Sequence, residues 1–172
     1  MHDALALPPQ TGWMPVLYQM VDSGDLAAMH PSSAAVYLVI KRHADVHSGL
    51  SAVSNRVLMK ESGISKPTMY KARDSLKQFN YIDFDERRHP TVYTIKEKLR
   101  YLASNREPVA CSTFPFIPAL LPKLLEALRS QPLTMDLLQG GGLTIGSINI
   151  QINVASPPAQ VIDIPVEKGM SE

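Results

Sequence analysis

The side chains best suited to act on a partner are concentrated in residues 54–95, SNRVLMKESGISKPTMYKARDSLKQFNYIDFDERRHPTVYTI. Arg56, Lys60, Lys66, Lys71, Arg73, Lys77, Arg87 and Arg88 supply cationic donors there, and Ser65, Thr68 and Tyr70 supply hydroxyls. Cations strung along a segment with few carboxylates between them suit the binding of a polyanion better than bond-breaking chemistry. The formal net charge of +1 hides this asymmetry. Residues 31–106 hold 14 Lys/Arg against 7 Asp/Glu, a net of +7, while the rest of the chain holds 3 against 9. A basic middle between acidic flanks implies that the middle alone meets a polyanion; a solvated basic surface is the plainer account of the same numbers.

Catalytic patterns are missing from the sequence. Gly140-Gly141-Gly142 is not followed by the Gly-Lys-Ser/Thr of a phosphate-binding loop and reads as a connector. Cys111 is the only cysteine, which excludes an internal disulfide and a cysteine cluster for zinc, and it has no histidine close in sequence to activate it. His43, His47 and His89 are too scattered to propose as metal ligands, and no paired carboxylates stand out. The expectation is a protein without catalytic residues, metal or cofactor. The N-terminal MHDALALPPQTGW lacks a basic segment followed by an apolar run, and no apolar run reaches the roughly 18 residues of a membrane span. The cytoplasm is therefore the default compartment, with no membrane partner. Apolar content of 45% and charged content of 19% fit a folded globular chain.

The elements that would position the basic stretch follow from punctuation and period. Residues 1–15 are proline-rich and irregular, with Trp13 available as an anchor. Residues 16–29 give a short helix, a Ser23-Gly24 break and a further turn, with Leu17, Met20, Val21 and Leu26 as buried candidates. His30-Pro31-Ser32-Ser33 opens a helix whose apolar run AAVYLVI reads as a buried core element ending near Asp45. A turn at His47-Ser48-Gly49 and a short strand over 50–53 precede Ser54, a good N-cap for a helix burying Val57, Leu58 and Met59. Gly63 stops that helix, Ile64 fills the corner, and Ser65 caps the next helix with Pro67 in its first turn. Met69, Ala72, Leu76 and Phe79 form one inward stripe on that second helix. Asn80 is a left-handed stop, residues 81–85 and 91–95 alternate as two strands around a turn at 86–90, and residues 96–102 add a closing helical segment.

At Ser62-Gly63-Ile64-Ser65, Lys66-Pro67-Thr68-Met69, Ala72/Leu76 and Tyr81-Ile82 the sequence resembles the winged helix-turn-helix DNA-binding family. Its nearest likeness there is to the regulators and replication-initiator-like proteins of bacteria, phages and mobile elements. The resemblance covers residues 15–100. It departs from the family pattern at Met59, where a small residue is usual, at Arg73, where an apolar one is common, and at Asn80, where glycine is usual. It implies that the helix over 66–79 enters the major groove of double-stranded DNA. Lys66, Lys71 and, from the margin, Arg73 and Lys77 would then reach phosphates or base edges, with Ser65, Thr68 and Tyr70 adding hydrogen bonds. Arg56 and Lys60 would touch the backbone, and Arg87 and Arg88 would sit at the wing tip. With about 4–7 phosphate contacts, binding would fall with salt at a log–log slope of about −4 to −6.

The fold class expected is α+β and mainly helical. It divides into an N-terminal extension (1–30), a winged helix domain (31–103), a linker (104–118) and a C-terminal extension (119–172). The extension carries a short amphipathic helix with Leu121, Leu124, Leu125 and Leu128, a turn at 134–139, and an alternating segment, LTIGSINIQINV. That segment folds back through Gly146-Ser147 as a hairpin, pairs with residues 161–166, adds to a second copy to give a homo-oligomer or to a different protein, or is a disordered tail. The function expected is transcriptional regulation; a replication initiator and a winged-helix protein-interaction module are the alternatives.

Overall fold

The computed structural model describes residues 12–102, 107–130, 142–145 and 148–154. Two short helices, α1 (Gln19–Asp22) and α2 (Asp25–Ala28), precede α3 (Ser33–Arg42), the strand β1 (Leu50–Ala52), α4 (Asn55–Ser62) and α5 (Lys66–Gln78). A hairpin of β2 (Ile82–Asp85) and β3 (Val92–Leu102) follows, then β4 (Pro108–Pro115), α6 (Leu121–Ser130), β5 (Gly142–Ile145) and β6 (Ile148–Val154). The architecture is mixed helix and antiparallel sheet, α+β.

Local chemistry sets the helix ends. The Ser54 hydroxyl accepts from the Val57 amide at 3.3 Å and so satisfies one of the first-turn donors of α4. Gly63 ends α4 in the left-handed conformation at φ 70°, and Asn80 follows α5 at φ 58°. Between them α5 buries Met69, Ala72 and Leu76 completely and Phe79 partly. Ala72 lies where α3 crosses closely: the Ser33 hydroxyl donates to the Ala72 carbonyl at 3.3 Å, and the His30 amide donates to Ser75 Oγ at 3.0 Å. Val36 and Ile40 of α3 and Leu58 of α4 complete this fully buried centre.

The sheet runs in the order β1-β3-β4-β6-β5, with β2 also paired to β3. One strand carries both halves. The first residues of β3 pair with β1 (Leu50↔Thr94) and β2 (Ile82↔Ile95), and the rest pair with β4 (Lys96↔Pro115 onward). The Ile95 carbonyl accepts from the Phe116 amide while the next amide, Lys96, donates to the Tyr81 carbonyl, both at 2.8 Å. Adjacent residues of a strand address opposite edges, so β1 and β4 lie end to end on one edge of β3 and β2 lies on the other.

Over this changeover sits a buried polar cluster. Lys41 of α3 pairs with Glu97 of β3, and the Tyr37 hydroxyl donates to Glu97 Oε1 at 2.9 Å. The Lys41 ammonium also lies 4.1 Å from the Phe116 ring centroid. Burial lowers the Lys41 pKa against the opposing pull of Glu97, and burial followed by the Glu97 charge holds the Tyr37 phenol well above its ordinary range. On the outer side Asp25 accepts from the Tyr81 hydroxyl at 2.8 Å and from Lys98 at 3.0 Å, tying α2 to the sheet. Burial works against the Asp25 carboxylate, but these bonds outweigh it and its pKa falls.

Several expectations are corrected. Residues 96–102 are strand, not helix, and most of the segment expected as a linker is β4, with Ala110, Ser112 and Phe114 facing inward. Trp13 anchors nothing, being 86% exposed; Val21 and Leu26 are also exposed, whereas Met20 is buried and Leu17 partly so. The alternating C-terminal segment finds its partners within the chain: β6 pairs with β5 on one side and β4 on the other. In α6, Leu121 and Leu124 are buried and Leu125 partly so. Residues 1–11, the turn at 134–139, Gly140-Gly141, Gly146-Ser147, the segment at 161–166 and the side chain of Leu128 lie outside the described residues.

The junction of β1 and β4 requires glycine. Gly49 has φ +69°, and a Cβ there would stand 2.0 Å from the Phe116 carbonyl oxygen; Gly24 has φ +80° but nothing within 4 Å. Gly49→Ala should therefore cost upward of ~2 kcal/mol in urea unfolding, and Gly24→Ala only ~1 kcal/mol. Equal losses would show that the two strands do not abut as described.

Candidate functional site

The Gly63 corner turns the chain so that α4 and α5 present their polar sides outward together. Arg56 and Lys60 on α4, Lys66 and Lys71 on α5, and Arg88 in the turn after β2 are exposed. Among the described residues none of the five has a side-chain hydrogen bond or ion pair, which is also true of Arg42 at the end of α3; the Arg88 backbone amide donates to the Asp85 carbonyl at 3.5 Å. Exposed cations without carboxylate partners keep their charge available to an incoming anion.

The remaining expected site residues are engaged to different degrees. Ser65 Oγ and Thr68 Oγ1 share a hydrogen bond of 2.8 Å at the start of α5, with Ser65 exposed and Thr68 half-buried. Lys77 is half-exposed and pairs with Asp83 at 3.3 Å. Burial would raise the Asp83 pKa, but the Phe84 amide and Lys77 bring it down. Arg87 is 90% exposed and bonds Asp85 at 3.0 Å, lowering the Asp85 pKa, so it projects from the turn with part of its charge answered locally. Tyr70 is half-buried and its hydroxyl accepts from Asn55 Nδ2 at 3.3 Å, which packs it against α4.

Arg73 departs most from expectation. It is 1% exposed, not at the margin of an outward face. Its Nη1 donates to Asn55 Oδ1 at 3.2 Å and to the Tyr93 hydroxyl at 3.3 Å, and its Nη2 pairs with Glu86. The guanidinium carbon lies 4.3 Å from the Phe84 ring centroid and 5.1 Å from that of Tyr70. Arg73 thus takes the slot where the resembled family commonly has an apolar residue: its stem and planar face pack against rings while its edges join α4, β3 and the turn. Burial raises the Tyr93 phenol's pKa, with Arg73 acting in the opposite direction. Asn55 and Glu86, which line the candidate site and bond Arg73, are not singled out by the sequence. The one signal pointing to them was a charged residue at an apolar position of α5, which needs partners nearby.

Between the start of α4, α5 and the turn lies an open hollow of about 660 Å³ lined by Ser54, Asn55, Tyr70, Arg73, Glu86, His89, Pro90 and Thr91. Its wall depends on Arg73. Replacing Arg73 with alanine would leave Asn55, Tyr93 and Glu86 without their donor and a void beside Phe84. The expected loss is ~2–4 kcal/mol in denaturant unfolding, against under ~0.5 kcal/mol for Lys71→Ala.

Residues 29–82 match the family model of a helix-turn-helix domain. No curated protein and no solved structure matches the chain. The matched segment runs from Met29, the residue after α2, through α3, α4 and α5 to the first residue of β2, and so contains the corner between α4 and α5. In this segment the chain is similar to a helix-turn-helix domain, the helical unit by which many regulators bind DNA.

Proposed function

We propose that this protein binds double-stranded DNA in a sequence-specific manner and acts as a cytoplasmic transcriptional regulator of the bacterial or mobile-element type, without catalysis. The domain is read as a winged helix: α5 is the recognition helix and the β2–β3 hairpin is the wing. Lys66 and Lys71 reach bases or phosphates in the major groove, Arg56 and Lys60 reach the backbone from α4, and Arg87 and Arg88 reach it from the wing. The observation that carries this reading is the sorting of cations. Lys41, Arg73 and Lys98 are engaged by carboxylates inside the fold, whereas Arg56, Lys60, Lys66, Lys71 and Arg88 stand exposed around one helix-turn-helix corner. A second copy would join through the C-terminal sheet, where β5 is an edge strand whose only partner among the described residues is β6.

Lys66→Ala/Lys71→Ala should weaken binding to a duplex recovered by selection from genomic fragments at least ~30-fold, with the melting temperature changed little. The salt dependence of binding should lose about 2 from its slope, one for each phosphate contact removed. Fluorescence anisotropy at several salt concentrations reads both quantities. Unchanged affinity in the double variant contradicts the assignment of α5.

A further inference from the structure

We propose that the hollow beside Arg73 is a subsite for one backbone phosphate of the bound duplex, and that the Glu86 carboxylate occupies it until DNA arrives. This rests on the DNA-binding reading and adds a contact and a switch to it.

The Glu86 carboxylate pairs with Arg73 Nη2, yet the Glu86 side chain is 67% exposed while that of Arg73 is 2% exposed. The carboxylate therefore reaches a buried guanidinium from the solvent side, through the mouth of the hollow. Another anion can follow the same route. Arg73 is also under-used: its Nε is buried and has no hydrogen-bond partner among the described residues. A buried N–H left unpaired is costly, and a guanidinium with unused donors offers the fork that phosphate oxygens accept in pairs. Around it stand further donors, the Ser54 hydroxyl, the Asn55 amide and the Tyr70 hydroxyl, with His89 on the turn side.

The surroundings give the anion its identity. The hollow opens between α5, the start of α4 and the turn after β2. Lys66 and Lys71 of α5 are exposed with no ion-pair partner among the described residues, and Arg88 of the same turn is exposed, its charge helping to lower the Asp85 pKa. A carboxylate in that position repels a polyanion unless it moves. Exchange of Glu86 for a phosphodiester preserves the charge balance at Arg73, since each carries one negative charge. It also frees the turn at 86–90 to carry Arg87 and Arg88 against the duplex. Glu86 is thus an internal competitor that weakens binding to any DNA that does not fill the subsite.

The test is a double-mutant cycle on the full chain with one 20-base-pair duplex from the genomic selection. Glu86→Gln should tighten binding about tenfold in the wild-type background and less than twofold in an Arg73→Lys background, where the fork is lost. Asp83→Asn, which also removes a carboxylate from the hairpin and frees Lys77, should give only a small gain in both backgrounds. An equal gain from Glu86→Gln in both backgrounds would reduce the effect to general electrostatics and overturn the subsite. Should Arg73→Lys fail to fold, the Arg73 Nε–H resonance of the wild-type protein decides: a shift on saturation with the duplex supports the exchange, and an unmoved signal refutes it. If the wild type and Glu86→Gln both fail to bind any duplex, the DNA reading itself falls with the subsite; tight binding with an unmoved signal removes the subsite alone.

Discussion

The fold depends on one strand being used twice. The eleven residues of β3 supply the hairpin that follows α5 and also the first strand of the C-terminal sheet, and the changeover falls at Ile95 and Lys96. At that point α3 places Lys41 against Glu97 and the Phe116 ring, under the line where β1 and β4 abut. A buried ion pair of this kind contributes little net stability, because desolvation offsets most of the attraction; removing one partner nevertheless costs ~3–5 kcal/mol. Its effect is on register. Glu97 can face inward only where Lys41 meets it, and a slip of one residue along β3 would turn Glu97 outward and strand the lysine. The orientation of α4 and α5 relative to the sheet is tied to the same contact, since Lys41 and Tyr37 belong to α3, on which both helices pack.

A second constraint is the division of cations between two tasks. Lys41, Arg73 and Lys98 are held by carboxylates within the structure, and Lys96 bonds Asn80 at 2.9 Å. The side chains of Arg56, Lys60, Lys66 and Lys71 are exposed and have no hydrogen-bond or ion-pair partner among the described residues. The net charge of the basic middle therefore overstates the number of cations available to an incoming anion, and their position around a single corner matters more than their sum. Exposed pairs such as Lys77–Asp83 contribute at most ~1 kcal/mol and exchange readily for phosphate. The Arg73–Glu86 pair combines a buried guanidinium with an exposed carboxylate, so it belongs partly to each class.

The sequence was legible where local rules agree with tertiary ones. Ser54 as a cap, Gly63 as a corner, the Met69/Ala72/Leu76 stripe and Asn80 as a left-handed stop are each set by neighbours within a few residues, and each is found. The second half of β3 was not legible because its inward positions are Ile95, Glu97, Leu99 and Tyr101; a buried glutamate breaks the apolar alternation, and its partner lies 56 residues earlier. Pro108 and Pro115 suggested a linker, but they stand at the two ends of β4, where a missing amide donor is tolerated. Arg73 was misplaced for a related reason. Charge alone puts an arginine on the surface, and only the rings of Tyr70, Phe84 and Tyr93, brought together by the hairpin, make its burial favourable.

The central claim is that the Gly63 corner and the hairpin turn, and no other surface, meet the duplex. Amide hydrogen exchange of the full chain with and without a saturating selected duplex measures this directly. Contact of the duplex with that corner and turn should add protection over residues 64–71 and 85–91, with β4 and α6 unchanged. Protection centred on α6 or the C-terminal strands, with residues 64–71 exchanging as in the free protein, would contradict it.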